Sequence, residues 1–260
     1  MTEIRLAVEG RGEAGRVATV TVDNPAKLNI LDPAGIAALE RTLDDLAADE
    51  ALRVVVLRGA GGRAFIGGAD IRAMATLDRE SARTFITGLH RACEAIRNLP
   101  VPVIARIEGY ALGAGLEIAA SCDLRVAADT ARFGMPEVRV GIPSVIEAAL
   151  LPRLIGWGRA RRLLYTGEII GAEEADRWGL VERVVAPPDL DAAVEACAAA
   201  ILAAGPRAIR LQKALIRDWE ELSLGDAIER GIHAFADAYA TSEPADRMSA
   251  FLRKGASRSP

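Results

Sequence analysis

Two glutamates stand out for their neighbours. Glu117 closes the run Gly113-Ala114-Gly115-Leu116-Glu117, and Glu137, 20 residues later, closes Phe133-Gly134-Met135-Pro136-Glu137. Each acid lies beside a glycine-bearing turn on a separate stretch of chain, so both could converge on one small molecule. Two carboxyl groups can divide acid and base work when their surroundings separate their proton affinities. Ordinary surface acids are the alternative reading. A second glycine cluster, Gly67-Gly68-Ala69-Asp70, precedes the apolar Ile71. Glycine lets backbone N–H groups approach an anion, and helix N-termini favour negative charge. Neither cluster fits a nucleotide loop. Ile118 stands where a G-x-G-x-x-G or G-x-G-x-x-A pattern needs Gly or Ala, and no Walker lysine follows. Tight turns remain the bland alternative for both. His90 and His233 are far apart and outside any motif, which leaves acid–base chemistry to carboxylates. Cys93, Cys122 and Cys197 form no close pair, which argues against a disulfide framework and a thiolate zinc site. No metal is expected.

The elements that must hold these residues alternate between strand and helix. Val17 to Val22 and Arg53 to Leu57 have strand periodicity, and Pro33 to Ala48 between them spaces Ile36, Leu39, Leu43 and Leu46 as a helix. Arg79 to Arg97 puts Phe85, Leu89, Cys93 and Ile96 on one face. Then follow a strand from Val103 to Ile107, a turn from Gly109 to Gly115, a helix from Leu116 to Ser121 and a strand from Leu124 to Ala128. This alternation predicts an α/β architecture. From about Asp189 the pattern is helical: Leu190 to Ala203, Ala208 to Leu222 and Leu224 to Tyr239. Those helices have no strands left to cover, so they pack on the main body or on other subunits. The division expected is a core over residues 1–190 carrying the site and a helical region over 191–260.

The chain has 260 residues, 51% hydrophobic and 26% charged, an ordinary globular balance. With 5 Phe, 3 Trp and 3 Tyr the core must be mostly aliphatic. Lys and Arg number 32 against 36 Asp and Glu, a net charge of −4, which offers no field for gripping nucleic acid. Glu3, Arg5 and Glu9 interrupt the amino terminus, and no apolar run approaches the roughly 18 residues of a membrane span. The expectation is a cytoplasmic enzyme with neither nucleic-acid nor membrane partner.

Gly109-Tyr-Ala-Leu-Gly-Ala-Gly-Leu-Glu117, Cys122-Asp123 and Phe133-Gly-Met-Pro-Glu137 together resemble the motifs of the enoyl-CoA hydratase/isomerase (crotonase) family. Asn24-Pro-Ala-Lys27-Leu-Asn29 is similar to its early substrate loop, and Ala64-Phe65-Ile-Gly-Gly-Ala69-Asp70 to its first oxyanion loop. Thr166-Gly167, Ala172 and Trp178-Gly-Leu-Val181 match later landmarks, so the resemblance runs from about Val17 to Phe251. It implies a ClpP/crotonase-like α/β spiral of repeated strand–strand–helix units, with a C-terminal helical region that builds a homotrimer or a hexamer made of two trimers. It implies no cofactor, because the coenzyme A thioester is the substrate.

Residue by residue, the resemblance assigns the backbone N–H groups of Ala69 and Ala114 to an oxyanion hole. It gives acid–base work on one water to Glu117 and Glu137. Substrate contacts would come from Ala26, Lys27, Leu28, Gly67, Gly68, Ala69, Asp70, Ile71 and Gly113. Hydration of a trans-2-enoyl-CoA to a 3-hydroxyacyl-CoA is the reaction it favours. Isomerisation of a 3-enoyl to a 2-enoyl thioester, which needs one carboxylate, is the near alternative; a catalytically silent scaffold is the distant one. Asp70 also suits an N-cap, and Lys27 a solvated loop. Arg247 and Lys254 could meet coenzyme A phosphates, though exposed basic residues rarely do anything specific, and His90 and Cys122 read as structural.

The chain departs from the family after Gly141-Ile142-Pro143, where many members continue with glycines. Here Ser144-Val-Ile-Glu147-Ala-Ala-Leu-Leu151 follows. Ser144-x-x-Glu147 before an apolar run is the pattern of a capping box. The competing expectation is a third carboxylate brought toward the catalytic water.

Overall fold

The computed structural model describes residues 1–256, with side chains to Arg253. In chain order the strands are β1 (Glu3–Gly10), β2 (Arg16–Asp23), β3 (Leu52–Gly59), β4 (Ala64–Ile66), β5 (Val103–Ile107), β6 (Tyr110–Leu112), β7 (Leu124–Ala128), β8 (Arg132–Gly134), β9 (Ile169–Gly171) and β10 (Arg183–Val185). The helices are α1 (Pro33–Ala47), α2 (Ile71–Met74), α3 (Arg79–Asn98), α4 (Ala114–Ser121), α5 (Leu151–Ile155), α6 (Trp157–Thr166), α7 (Ala172–Trp178), α8 (Leu190–Ala203), α9 (Pro206–Glu221), α10 (Leu224–Ala238) and α11 (Glu243–Ala256).

Two compact units divide the chain, Met1–Ala198 and a second from Ala199 onward. The first is a spiral of strand pairs and helices. Each turn sends one longer strand into a six-stranded sheet ordered β1-β2-β3-β5-β7-β10. Its short successor joins a four-stranded sheet ordered β4-β6-β8-β9. β2 through β10 of the large sheet run parallel, and β1 pairs antiparallel with β2. In the small sheet β4, β6 and β8 are parallel and β9 closes the edge antiparallel. Strands covered on both faces read as continuous apolar runs, and β3 and β5 do. Buried arginines in β5 and β7 carry their own partners. Arg106 meets Asp191 and Glu108, and Arg125 meets Glu182 and the carbonyls of Leu180 and Cys122.

Helix boundaries follow their caps. The Asp32 carboxylate accepts from Gly35 N at 2.8 Å to start α1, and Asp78 with Ser81 forms a reciprocal capping box that starts α3. The expected helices over 33–48 and 79–97 and the strands over 103–107 and 124–128 stand where the periodicity put them. The supposed turn from Gly109 to Gly115 contains β6 and the first turn of α4. A three-residue strand is too short to show alternation, and the small sheet is built wholly of such strands.

Gly115 makes the spiral tight. A Cβ there would overlap the carbonyl oxygen of Ile66, so only glycine lets α4 lie against β4. All eight residues of α4 are buried, Glu117 among them.

Candidate active site

The ends of β4 and β6 open toward a shared cavity of about 240 Å³. Gly67, Gly68, Ala69 and Ile71 form one side, and Gly113, Ala114 and Glu117 another. Pro136, Glu137, Arg139 and Val140 belong to the 3₁₀ turn Pro136–Val140, the third side. Met74, Phe85, Ile86, Leu89, Leu112, Ile142, Pro143 and Val145 supply most of the remaining wall, which is therefore predominantly apolar.

Three contacts fix the first glycine loop. Gly67 N donates to Leu28 O at 2.8 Å, Leu31 N to Gly68 O at 2.9 Å, and Asp70 N to Leu31 O at 2.9 Å. The segment that receives them is held by Asn29. This fully buried side chain donates to Ala60 O at 2.9 Å and Ala64 O at 2.7 Å and accepts from Asn24 N at 2.9 Å. Leu28 and Asn29 both have positive φ, near +55°, a conformation that asparagine tolerates better than most residues. Because the bonds of this loop alternate around Ala69, its N–H donates to no carbonyl of the described residues, and neither does that of Ala114. Ala114 is the first residue of α4, where N–H groups have no intrahelical acceptor.

Glu117 is 4% exposed. Burial pushes its carboxyl up to about 8, and the charges of Glu137 and Glu147 add to that; backbone hydrogen bonds at Ala148 and Val145 act the other way. Glu137 is half-buried across the cavity, and its Oε2 accepts from Ser144 Oγ at 2.7 Å. A Cβ on Gly113 would overlap Glu137 Oε1, so the glycine leaves the space that this carboxylate fills. Its φ of 51° and ψ of −120° also suit glycine alone.

The other expected site residues divide. Gly67, Gly68, Ala69, Ile71 and Gly113 line the cavity with both acids, whereas Ala26, Lys27, Leu28 and Asp70 lie outside its wall. Ala26 and Lys27 are exposed. Asp70 caps α2 instead, accepting from Arg72 N at 2.9 Å. Arg247 donates to Ala203 O at 2.6 Å, and the side chain of Lys254 lies outside the described residues.

The capping box expected of Ser144 and Glu147 does not form. The 3₁₀ turn Ile146–Leu150 has Val145 at its N-cap and no side-chain cap. Ser144 serves Glu137, and Glu147 is buried against His90, Nδ1 to Oε1 at 2.8 Å. For Ser144 the carboxylate of Glu137 is the stronger partner, because a hydrogen bond to a carboxylate is about twice as strong as a neutral one. Glu147 does not reach the cavity wall either. Ser144 as a Glu137 partner, His90 as a Glu147 partner, Asn29 as a clamp and the apolar wall on α3 had no sequence signal beyond residue type. The His90–Glu147 pair, the Asn29 bonds to Ala60 and Ala64 and the α3 wall depend on contacts distant in the chain.

A buried carboxyl, a second carboxylate and two residues with unengaged N–H groups on the wall of one apolar space can polarise a carbonyl while protons move beside it. Residues 12–258 match the family model described as enoyl-CoA hydratase/isomerase. The chain belongs to the enoyl-CoA hydratase/isomerase family. It is 36% identical to the short-chain-enoyl-CoA hydratase of Clostridium acetobutylicum over 241 residues, 92% of each chain. It is equally identical to the crotonyl-CoA hydratase of Syntrophomonas wolfei over 240 residues, again 92% of each. Among solved structures, the enoyl-CoA hydratase of Bacillus anthracis superposes with a TM-score of 0.90 at 33% identity, covering 96% of both chains. That of Mycobacterium smegmatis gives 0.90 at 36%, with the same coverage. The two-sheet spiral is therefore the crotonase fold of this hydratase/isomerase family, whose members act on acyl-CoA substrates. Among the described residues no single helix is long and apolar enough to cross a membrane.

Proposed function

We infer that the protein is an enoyl-CoA hydratase acting on trans-2-enoyl thioesters with an apolar acyl chain. The observation that carries this is the presence of two carboxyl groups, Glu117 and Glu137, on one cavity beside the N–H groups of Ala69 and Ala114. Ala69 and Ala114 donate to the thioester carbonyl oxygen, which gains charge as the β-carbon is attacked; preorganised donors in a water-poor site act there most strongly. One water lies between the acids. Its oxygen bonds to the β-carbon as one carboxylate takes its proton, and the protonated carboxyl gives its own proton to the α-carbon. The C=C bond becomes C–C and the enolate charge is discharged. Proton exchange between the two acids resets the pair. Both transfers come from one side of the substrate, so the addition is syn.

An isomerase needs a single shuttling carboxylate, and the second acid on the wall favours hydration over it. The apolar wall, with Glu147 turned away, supports an uncharged acyl group over a polar one. The test is to supply 2-enoyl and 3-enoyl thioesters separately and identify the products. A 3-hydroxyacyl thioester from the 2-enoyl substrate is expected, and interconversion of double-bond isomers without hydroxylation would replace this reading by the isomerase.

We also infer assembly into a trimer or a pair of trimers through the helical region 191–260. On α10 the side chains of Leu224, Ile228, Ile232 and Phe235 recur on one face and are 59–79% exposed, an apolar stripe that isolated chains rarely leave uncovered. Sedimentation is expected to give three or six chains, and a single-chain mass at every concentration would contradict this.

A further inference from the structure

Behind the cavity lies a polar cluster that the proposed reaction does not use. Glu147 is 6% exposed, and its Oε2 is sealed from solvent without a hydrogen-bond partner. Its other oxygen meets His90 Nδ1 at 2.8 Å. The His90 side chain is 45% exposed, and its Nε2 lies 3.9 Å from Glu94 on the next turn of α3. A buried acid with one oxygen unsatisfied is expensive to keep. The backbone bears a cost here as well: Ile146, immediately before Glu147, has φ of 39°. For a β-branched residue that conformation is a true outlier, and such strain clusters at functional sites.

We propose that His90 and Glu147 form a positioning pair behind the cavity that keeps the resting proton of the two lining acids on Glu117 and leaves Glu137 as the open carboxylate. His90 Nδ1 meets Glu147, and the turn that carries Glu147 lies against Glu117, whose carboxyl is hydrogen-bonded by the backbone of Val145 and Ala148. A fixed negative charge there opposes a second one on Glu117, and the upward displacement of Glu117 has Glu147 among its causes, after burial and Glu137. Glu137 has the opposite surroundings, half-exposed and with the Ser144 hydroxyl donating to it. Unlike surroundings push the proton onto one member of an acid pair.

The other charged or titratable groups around the cluster do not reverse this. From α3 come Cys93, whose buried thiol is pushed up by burial and by Glu147 and Glu117, and Glu94. On the cavity side Arg139 directs its guanidinium to Thr166 O at 3.2 Å.

The kinetic part of this inference rests on the hydratase reading, but the proton placement can be read without turnover. Protein labelled at the glutamate side-chain carboxyl carbon is titrated by carbon NMR, with the Glu117 resonance identified by its loss in Glu117→Gln. In the wild type that resonance is expected to titrate near pH 8. In Glu147→Gln, which can still accept from His90, it moves down by about one pH unit. In His90→Leu, which removes the Nδ1 donor to Glu147, it moves the same way. The high-pH limb of kcat follows: a loss of about fivefold at pH 8, approaching tenfold at higher pH, and less than about twofold at pH 6 in both variants. A Glu117 titration unmoved in both folded variants, or one in the ordinary carboxyl range in wild type, would overturn the pair's role. A protein that shifts as described yet hydrates nothing would leave the pair standing and remove the hydratase reading.

Discussion

Glu117→Gln and Glu137→Gln each lower kcat for hydration by about two decades or more, the usual magnitude of lost acid–base assistance. The double variant falls little further, because both groups serve one proton-transfer event and their losses do not add. The two variants separate in stability. Unfolded, Glu117 releases its proton near its ordinary value of 4.5; folded, it holds the proton to about 8. Between those values the folded state binds more protons, so this carboxyl lowers stability progressively as pH rises. Gln carries no such proton. Glu117→Gln is therefore expected to melt above wild type at pH 8, by a free-energy difference on the order of 4 kcal/mol, and to match it near pH 4. Calorimetry across that window checks the sign. An unchanged kcat in either single variant removes that residue from the chemistry, and a lower melting temperature for Glu117→Gln at pH 8 contradicts its burial as the neutral acid.

The second large effect comes from a residue with no side chain. Gly113→Ala places a methyl group where Glu137 Oε1 now lies and forces an L-residue to φ of 51° and ψ of −120°. Glu137 must swing away from the cavity, and misplacing a catalytic group by about an ångström costs roughly a hundredfold. The backbone penalty is of order 1–3 kcal/mol. The expected result is a folded protein of lowered melting temperature whose kcat has fallen at least a hundredfold. Adding Gly113→Ala to Glu137→Gln should cost little more activity, since the displaced group is already gone. Full activity in Gly113→Ala would show that Glu137 does not need its present position.

Much of this site can be read in the sequence, and the boundary of what can has a physical cause. The glycines that flank Glu117 mark sterically demanding turns, so Gly113 and Gly115 carry information about contacts they themselves make possible. Helices α1 and α3 declare themselves because one apolar face repeats every 3.6 residues and their caps lie within three residues of their starts. β1 has almost no buried residue and is recognised only by pairing with β2 along its whole length. The strands of the small sheet, three residues each, have no period to display.

Local pattern also misled at Ser144-x-x-Glu147, which has the spacing of a reciprocal cap, yet Ser144 donates to Glu137 and Glu147 meets His90. His90 is 57 residues from Glu147, and no local spacing could join them.

The account's central claim is that this cavity adds water across a conjugated thioester. It is tested most directly by mixing the protein with a trans-2-enoyl-CoA in water enriched in heavy oxygen. The ultraviolet absorbance of the conjugated thioester is followed, and the product is weighed by mass spectrometry. The account predicts that absorbance falls and that the product gains one labelled oxygen at the β-carbon. A product with no labelled oxygen at that carbon, or unchanged absorbance at high enzyme concentration, would contradict it.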